Sequence, residues 1–423
     1  MLRNLTAAVA AVALLGTPAL AAPRDEMARL IARADFKAAV QTLADQHERT
    51  VADIVTLTEI PAPPFKEQAR AEAYRAMLAA HGLKDVEIDA EGNVMGLRKG
   101  TRSGPVVVIS AHLDTVFPEG VSVKVRREGT KLYAPGVADD SRSLAVLLAY
   151  VRALDAAGIR TRSDILFVGT VGEEGAGDLR GVRHFFSKGK YKDRTKAFFS
   201  VDGIDPAHLT HIGVGSKRYR ATFEGPGGHS YGAFGIVNPM AAMAKAITDL
   251  YRIEPPVDPK VTYSASVTGG GTSVNAIPDK VFTEFDMRSA DAAELARLDA
   301  RLKTILAEAV AAENAARSTR VGPVSLELTP IGDRPAGQTP KEAPIVANTA
   351  AAIEALGYDP VFNASSTDAN APMALAIPAV TIGSGGSGGR AHSLDEWIDV
   401  EKGESVRGMS VGLAALLATA GID

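Results

Sequence analysis

The stretch Val106-Val107-Val108-Ile109-Ser110-Ala111-His112-Leu113-Asp114-Thr115-Val116 decides the reading of the fold. Four apolar residues run without a polar interruption and end almost at once in His112 and Asp114. A short, continuous β-branched run of this kind reads as a strand buried on both faces, which is the condition of a strand in a parallel sheet. Three more runs share the design. Ile165 to Thr170 leads into Glu173 and Glu174, Ala197 to Val201 into Asp202, and Ala379 to Ile382 into a glycine-rich loop that ends at His392. An apolar helix, Leu144 to Leu154, lies between the first two. Strands that alternate with helices imply an α/β fold, a mostly parallel sheet covered by helices.

Upstream, Met27 to Ile60 and Glu67 to His81 carry helical spacing, separated by Pro61 to Phe65. The texture changes from 217 to 331. Tyr219 to Phe223, Pro239 to Tyr251, Val261 to Val267, Val281 to Met287, Ala292 to Ala316 and Val324 to Leu328 follow the order β-α-β-β-α-β. That order predicts a small ferredoxin-like α+β domain. It is read as an insert, with 23–216 and 332–423 together forming the principal domain. Residues 1–22 read as a signal peptide: Arg3, the apolar run Ala7 to Leu15, a break at Gly16 to Pro18, and Ala19-Leu20-Ala21 as the cleavage site. The apolar run is too short for a membrane span, so the mature protein is expected to be exported to the periplasm or the medium, with no membrane partner. A net charge of −4 gives no reason to expect nucleic acid as a partner. Cysteine is absent, so any metal site must be built from His, Asp and Glu.

In an open α/β sheet, ligands gather outside the carboxyl ends of the strands. The loops carrying His112, Asp114, Glu173, Glu174, Asp202 and His392 should therefore share one cleft. Asp139, in Ala134-Pro135-Gly136-Val137-Ala138-Asp139-Asp140, stands just ahead of the Leu144 helix and can project into the same place. Each residue alone has a plainer reading: an acidic pair before a helix is commonly an N-cap, and an acidic pair after a strand is commonly solvated. Two imidazoles with several carboxylates and no thiolate are nevertheless the donor set of a two-metal hydrolase.

Ser110 to Val116, Ala134 to Asp140, Val171-Gly172-Glu173-Glu174-Gly175, Ser200 to Gly203 and the late Ala391-His392-Ser393 together resemble the two-zinc exopeptidases typified by peptidase T, carboxypeptidase G, aminoacylase and succinyl-diaminopimelate desuccinylase. The resemblance spans nearly the whole mature chain. It implies that His112 and Asp202 bind one zinc, Glu174 and His392 the other, and that Asp139 bridges both. Manganese or cobalt could take the same places. It implies further that Asp114 holds the His112 imidazole in its ligating tautomer. Glu173 would be the general base, passing a proton from water to the leaving amine. The peptide after Asp139 would be cis. Adjacent residues at a strand end point in opposite directions, which allows Glu174 to ligate while Glu173 faces substrate.

The insert has its own signature: His229 in a glycine-rich loop, Asn275 in Thr272 to Pro278, and Arg288 in Asp286-Met287-Arg288-Ser289. The resemblance implies a homodimer formed through the insert, with His229 reaching the partner's active site to stabilise an oxyanion and Asn275 and Arg288 holding substrate. Set apart from it, His229 reads as a loop residue and Arg288 as a surface charge. The chain departs from the family at Asp140-Ser141-Arg142-Ser143, where small residues are usual, which puts the packing of the following helix in question. The loop Gly383 to Gly389 reads as flexible and able to close over substrate.

In the resembled family an Asp at the position of Asp202 accompanies aminopeptidases and dipeptidases, and Glu accompanies aminoacylases and carboxypeptidases. A short peptide with a free amino terminus is therefore the expected substrate. Ser365 to Pro372 resembles the substrate-side loop of peptidase T-like members, which implies Thr367, Asp368 and Asn370 as contacts, with Asp368 pairing the substrate ammonium, although the same residues are ordinary turn formers. The alternative on the same two-metal site is an N-acyl-amino-acid amidohydrolase or a carboxypeptidase. A serine hydrolase is a weaker rival: Gly385-Gly386-Ser387-Gly388-Gly389 matches G-x-S-x-G, but no helix follows the serine. A binding protein on the same fold would have no need of Glu173.

Overall fold

The computed structural model of the chain describes residues 23–423; the expected signal peptide, 1–22, lies outside the described residues. The glycine-free start folds as three helices, α1 (Pro23–Ala32), α2 (Ala34–Asp45) and α3 (His47–Thr58). The single helical pattern expected there is broken at Arg33, whose backbone is extended, and at Gln46, which closes α2 and opens α3. After α4 (Gln68–Ala79) the chain runs through β1 (Lys84–Ile88), β2 (Val94–Arg98) and β3 (Val106–His112). A hairpin of β4 (Arg126–Glu128) and β5 (Lys131–Tyr133) precedes α5 (Arg142–Ala156). Then come β6 (Asp164–Thr170), α6 (Arg180–Lys188), β7 (Thr195–Val201) and β8 (His208–Gly213).

The second region contains β9 (Gly215–Glu224), the two-residue β10 (Gly228–His229), α7 (Pro239–Leu250), β11 (Val261–Gly270) and the two-residue β12 (Ala276–Ile277). It ends with β13 (Lys280–Ser289), α8 (Ala292–Ala316) and β14 (Ser325–Arg334). The chain then closes through β15 (Gly337–Gln338), α9 (Pro344–Ala355), β16 (Val361–Ser365), α10 (Asn370–Ala374) and β17 (Ala379–Ile382). Last are β18 (Ser387–Gly389), β19 (Trp397–Asp399) and α11 (Lys402–Ala420). No helix among the described residues is long and apolar enough to cross a membrane.

The four expected buried strands form the centre of the large sheet in the order β6-β3-β7-β17, and all are mutually parallel. Their carboxyl ends therefore share one edge. Antiparallel strands flank them: β2 and β1 beyond β6, and β8 and β15 beyond β17, with β16 also paired to β8. Successive residues supply opposite faces, as a period of two requires. Val107, Ile109, Ile165 and Phe167 pack into the core under α5, while Val106, Val108, Leu166 and Val168 pack with Phe185 of α6. Helical cover on both sides explains why these strands contain no alternating polar residues.

The region from β9 to β14 is ferredoxin-like. Its sheet runs β11-β13-β9-β14, antiparallel throughout. Tyr219, Phe223, Phe285 and Met287 pack beneath α7 and α8. The opposite face alternates with them and is charged: Arg218 and Arg220 of β9 lie opposite Asp286 and Glu284 of β13.

Two sequence expectations need correction. The loop after β17 is not loose: Ser387 to Gly389 form β18, in a four-stranded sheet of order β18-β19-β5-β4. Its glycines serve close approach rather than mobility, because a Cβ at Gly385 would stand 2.5 Å from the Gly408 and Met409 backbone of α11. The unusual Ser141-Arg142-Ser143 does not disturb α5. All three are buried, and Arg142 Nη2 donates to Ser405 Oγ at 3.3 Å, filling space that Gly386 leaves open.

Candidate metal centre

His112 is the last residue of β3, and its ring orientation is fixed from behind. Nδ1 lies 3.0 Å from the Asp114 carbonyl, which can only accept, so a proton sits on Nδ1 and Nε2 is the nitrogen presented to the carboxylate cluster. Nε2 is 2.7 Å from Asp139 Oδ1. The other Asp139 oxygen, Oδ2, is 3.0 Å from His392 Nε2, and that nitrogen is 2.9 Å from Glu174 Oε1. One carboxylate thus stands between two imidazoles. His112, Asp139 and Glu174 offer donor atoms within 4.8 Å of one another, and His112, Asp140 and Asp202 form a second such group. The Asp139–Asp140 peptide is cis.

The surrounding hydrogen bonds hold these donors in place. Asp114 does orient the imidazole, but through its main-chain carbonyl. Its carboxylate, 3.6 Å from Nδ1, instead accepts the N–H groups of Glu173 at 3.0 Å and Glu174 at 2.8 Å. Asp140 Oδ2 accepts the His112 N–H at 2.9 Å. Glu396, fully buried four residues beyond His392, accepts N–H bonds from Gly136, Ala138 and Asp139 at 3.0, 2.7 and 2.9 Å. It ties the turn carrying Asp139 to the loop carrying His392. Sequence reasoning did not single it out; its nearness to His392 was the only signal.

The electrostatics test whether metal suits this place. Burial, opposed by the imidazole of His112, holds Asp140 well above the usual carboxylate range. Burial and the neighbouring Asp139 push Asp202 up to about 7. Burial lowers His112, yet Asp140, Asp114 and Asp139 together hold it well above its ordinary value. Hydrogen bonds to Asp139 and Glu174 raise His392 to about 10. Carboxylates so crowded repel one another, and the imidazoles are drawn to the protonated form only to offset them. Divalent cations would relieve that repulsion and free both imidazoles to ligate, so the donor set fits a pair of metal ions.

A cleft of about 550 Å³ opens beside these groups, lined by Asp139, Glu173, Glu174, Asp202 and His392. Glu174 turns toward His392 and Glu173 away from it, toward Arg334, whose Nη1 donates to Glu173 Oε1 at 3.1 Å. Burial holds the Glu173 carboxyl well above its ordinary value, and Arg334 opposes that rise. Arg288 lines the cleft, as do Arg218, Arg334 and Asp205, none of which sequence reasoning had identified. Arg218 and Arg288 share a single carboxylate, Asp286, each at 2.7 Å.

Other expected substrate contacts fall elsewhere. Asp368 does not line the cleft. It is buried behind Thr170, which donates to its Oδ2 at 2.5 Å, and burial pushes it up to about 6. The strand-end hydroxyl draws it inward, so the expected pairing with a substrate ammonium is corrected; Ser365, Ser366 and Thr367 are the residues of that segment lining the cleft. Asn370 is structural, donating to the Val214 and Pro335 carbonyls at 2.9 Å each. His229 pairs with Ala276 across β10 and β12, and Asn275 stands just ahead of that pair, where Ser230 N–H donates to its carbonyl. His229 and Asn275 are both exposed, and neither lines the cleft of its own chain. Ser387 begins strand β18 with no helix behind it, which removes the serine-hydrolase reading.

Converging strand ends, paired imidazoles around one carboxylate and a separate buried glutamate define a two-metal hydrolase of the zinc-exopeptidase class. Residues 108–418 match the family described as peptidase family M20/M25/M40, and the chain belongs to that family. Carboxypeptidase G2 of Pseudomonas sp. is 37% identical over 84 residues, 19% of this chain and 20% of that enzyme. Succinyl-diaminopimelate desuccinylase of Leptothrix cholodnii is 26% identical over 234 residues, 49% of this chain and 58% of that enzyme. The aligned stretches thus span less than two thirds of either relative. Among solved structures, aminopeptidase PepT of Bacillus cereus superposes with a TM-score of 0.70 at 20% identity, covering 88% of this chain and 99% of that one. A Bacillus subtilis protein described as a dinuclear metal-binding peptidase of family M20 gives 0.63 at 18% identity, covering 89% and 99%. At such identities these likenesses show the fold.

Proposed function

We propose that the protein hydrolyses the amino-terminal peptide bond of short peptides, with two zinc ions held by His112, Asp139, Glu174, Asp202 and His392. The observation that carries this reading is Asp139 standing between two imidazoles, one oxygen to each, beside a glutamate that neither imidazole touches. When bound, the metal pair supplies Lewis acidity to the scissile carbonyl and brings water within reach of deprotonation near neutral pH. Glu173 accepts that proton and returns it to the departing nitrogen, as a buried, non-ligating carboxylate can. Arg218 and Arg288 share one carboxylate between two guanidiniums, so the pair can also accept a substrate carboxylate. His229 acts on the cleft of a second copy, joined through the insert at 217–331. Export is proposed from the amino-terminal sequence alone and is checked by fractionating expressing cells and sequencing the amino terminus of the recovered protein.

The aminopeptidase of Bacillus cereus and a tripeptidase of Staphylococcus aureus, both of similar fold, support a substrate with a free amino terminus. Asp rather than Glu at position 202 supports it as well. The carboxypeptidase and the desuccinylase favour the alternative, an acylated substrate. A tripeptide assayed beside its N-acetylated form separates the two, and faster turnover of the acetylated form overturns the aminopeptidase reading. Chelation should abolish activity and zinc should restore it. Glu173→Ala should lower kcat by about 10²–10⁴-fold with both metals retained; a variant that kept its activity would remove Glu173 from the chemistry.

A further inference from the structure

Arg334 is the last residue of β14, the strand that closes the ferredoxin-like region, yet its side chain belongs to the base. It is only 5% exposed. Nη1 donates to Glu173 Oε1 at 3.1 Å and to Ser366 Oγ at 3.3 Å, and Nη2 donates to the main-chain carbonyl of the same Glu173. One forked, planar group therefore grips both the side chain and the backbone of a single residue, which fixes the rotamer between them.

The backbone supports the grip. Arg334 pairs in register with Ser216 of β9. The preceding Asp333 N–H donates to both Asp178 carboxylate oxygens, at 3.1 and 2.9 Å, and the Asp333 carboxylate is held by Lys217 at 2.7 Å. The loop Glu173 to Asp178 is thus fastened to β14 at both ends, by Arg334 at Glu173 and by Asp333 at Asp178. Oε1 of Glu173 is committed to this contact, and Oε2 accepts no hydrogen bond from the described residues, while the residue faces the cleft.

We propose that Arg334 is a positioning residue that fixes the Glu173 carboxylate for proton transfer, so that the ferredoxin-like region sets the geometry of the base. This rests on Glu173 being the base. A competing role, anchoring a substrate carboxylate, is open to any arginine in this cleft, and the two roles move different constants. If Arg334 positions the base, Arg334→Ala lowers kcat by about 30–300-fold, a part of what a general base contributes. KM stays within about threefold, both metals are retained, and added guanidinium restores part of the rate. Arg334→Lys, which keeps the charge and loses the fork, falls between. In a Glu173→Gln background, Arg334→Ala costs less than about threefold more, because the group it acts through is already gone. A rise in KM at unchanged kcat, loss of metal in both Arg334 variants, or a full further loss in the Glu173→Gln background overturns the proposal. Glu173→Gln tested alone separates a failure here from a failure of the base assignment: an active Glu173→Gln sinks the latter.

Discussion

At the scale of single residues, the candidate donors are held in place by groups that bind main chain, Asp114 at Glu173 and Glu174, and Glu396 at the Asp139 turn. His112 ends a buried strand, and Glu174, Asp202 and His392 stand on loops beyond one, so topology and chemistry marked them together as candidates. Glu396 and Arg334 act by hydrogen bonds to main-chain groups 257 and 161 positions away, a relation that leaves no local pattern. Asp368 shows the converse error, a polar turn residue that faces inward because Thr170 waits there. For Glu396 the consequence can be measured. Three N–H groups of the turn Gly136 to Asp139 converge on its carboxylate, and a buried donor left unpaired costs about 1–3 kcal/mol. Glu396→Ala should therefore loosen the Asp139 turn and weaken metal affinity by about 10–100-fold, as loss of a group that orients ligands does. Glu396→Gln, whose amide nitrogen would face a donor, should fall between the two. Competition with a chromophoric chelator reads the affinity, and an alanine variant that binds metal as tightly as the parent would show the turn to be held by other means.

Among elements, the central strands were read to within a few residues because burial on both faces leaves an uninterrupted apolar run. The outer strands β8 and β16 carry polar positions and were missed. The glycine-rich loop was misread for a physical reason: a glycine required for close approach and one required for freedom look alike in sequence. Gly408 of α11 decides between them. A Cβ there would lie 2.6 Å from Gly385 Cα and 2.7 Å from Gly386 N, and both partners are backbone atoms that cannot rotate aside. Gly408→Ala should lower stability by about 1–3 kcal/mol, the usual cost of overpacking. It should also reduce metal content, because the displaced segment leads to His392. Gly403→Ala, which meets only the Glu401 side chain, serves as the control. Denaturation midpoints and metal analysis of the pair test this, and equal behaviour of the two variants would return the loop to the mobile class.

For the molecule as a whole, a single chain brings the proposed metal donors, Glu173 and the arginines to one cleft, but it keeps His229 on an exposed loop outside that cleft. Around that histidine the surface is apolar: Tyr231 is 90% exposed and Phe234 82%, and Val274, beside Asn275, is fully exposed. An exposed apolar cluster of this kind marks a contact surface, and an isologous dimer would place the same loop of each copy at the other's cleft. If so, the catalytic unit contains residues from two chains, and two defective chains should mend each other. Glu173→Ala lacks the base but keeps His229, while His229→Ala lacks the loop histidine but keeps the base. Each homodimer should be nearly inactive. Mixed and allowed to exchange, half of the dimers become hybrids holding one complete site, so about a quarter of the parental activity should return, the statistical limit for a twofold assembly. Activity that stays at the level of the separate variants after exchange, verified by mass, would confine His229 to its own chain and require the oxyanion to be held by another group.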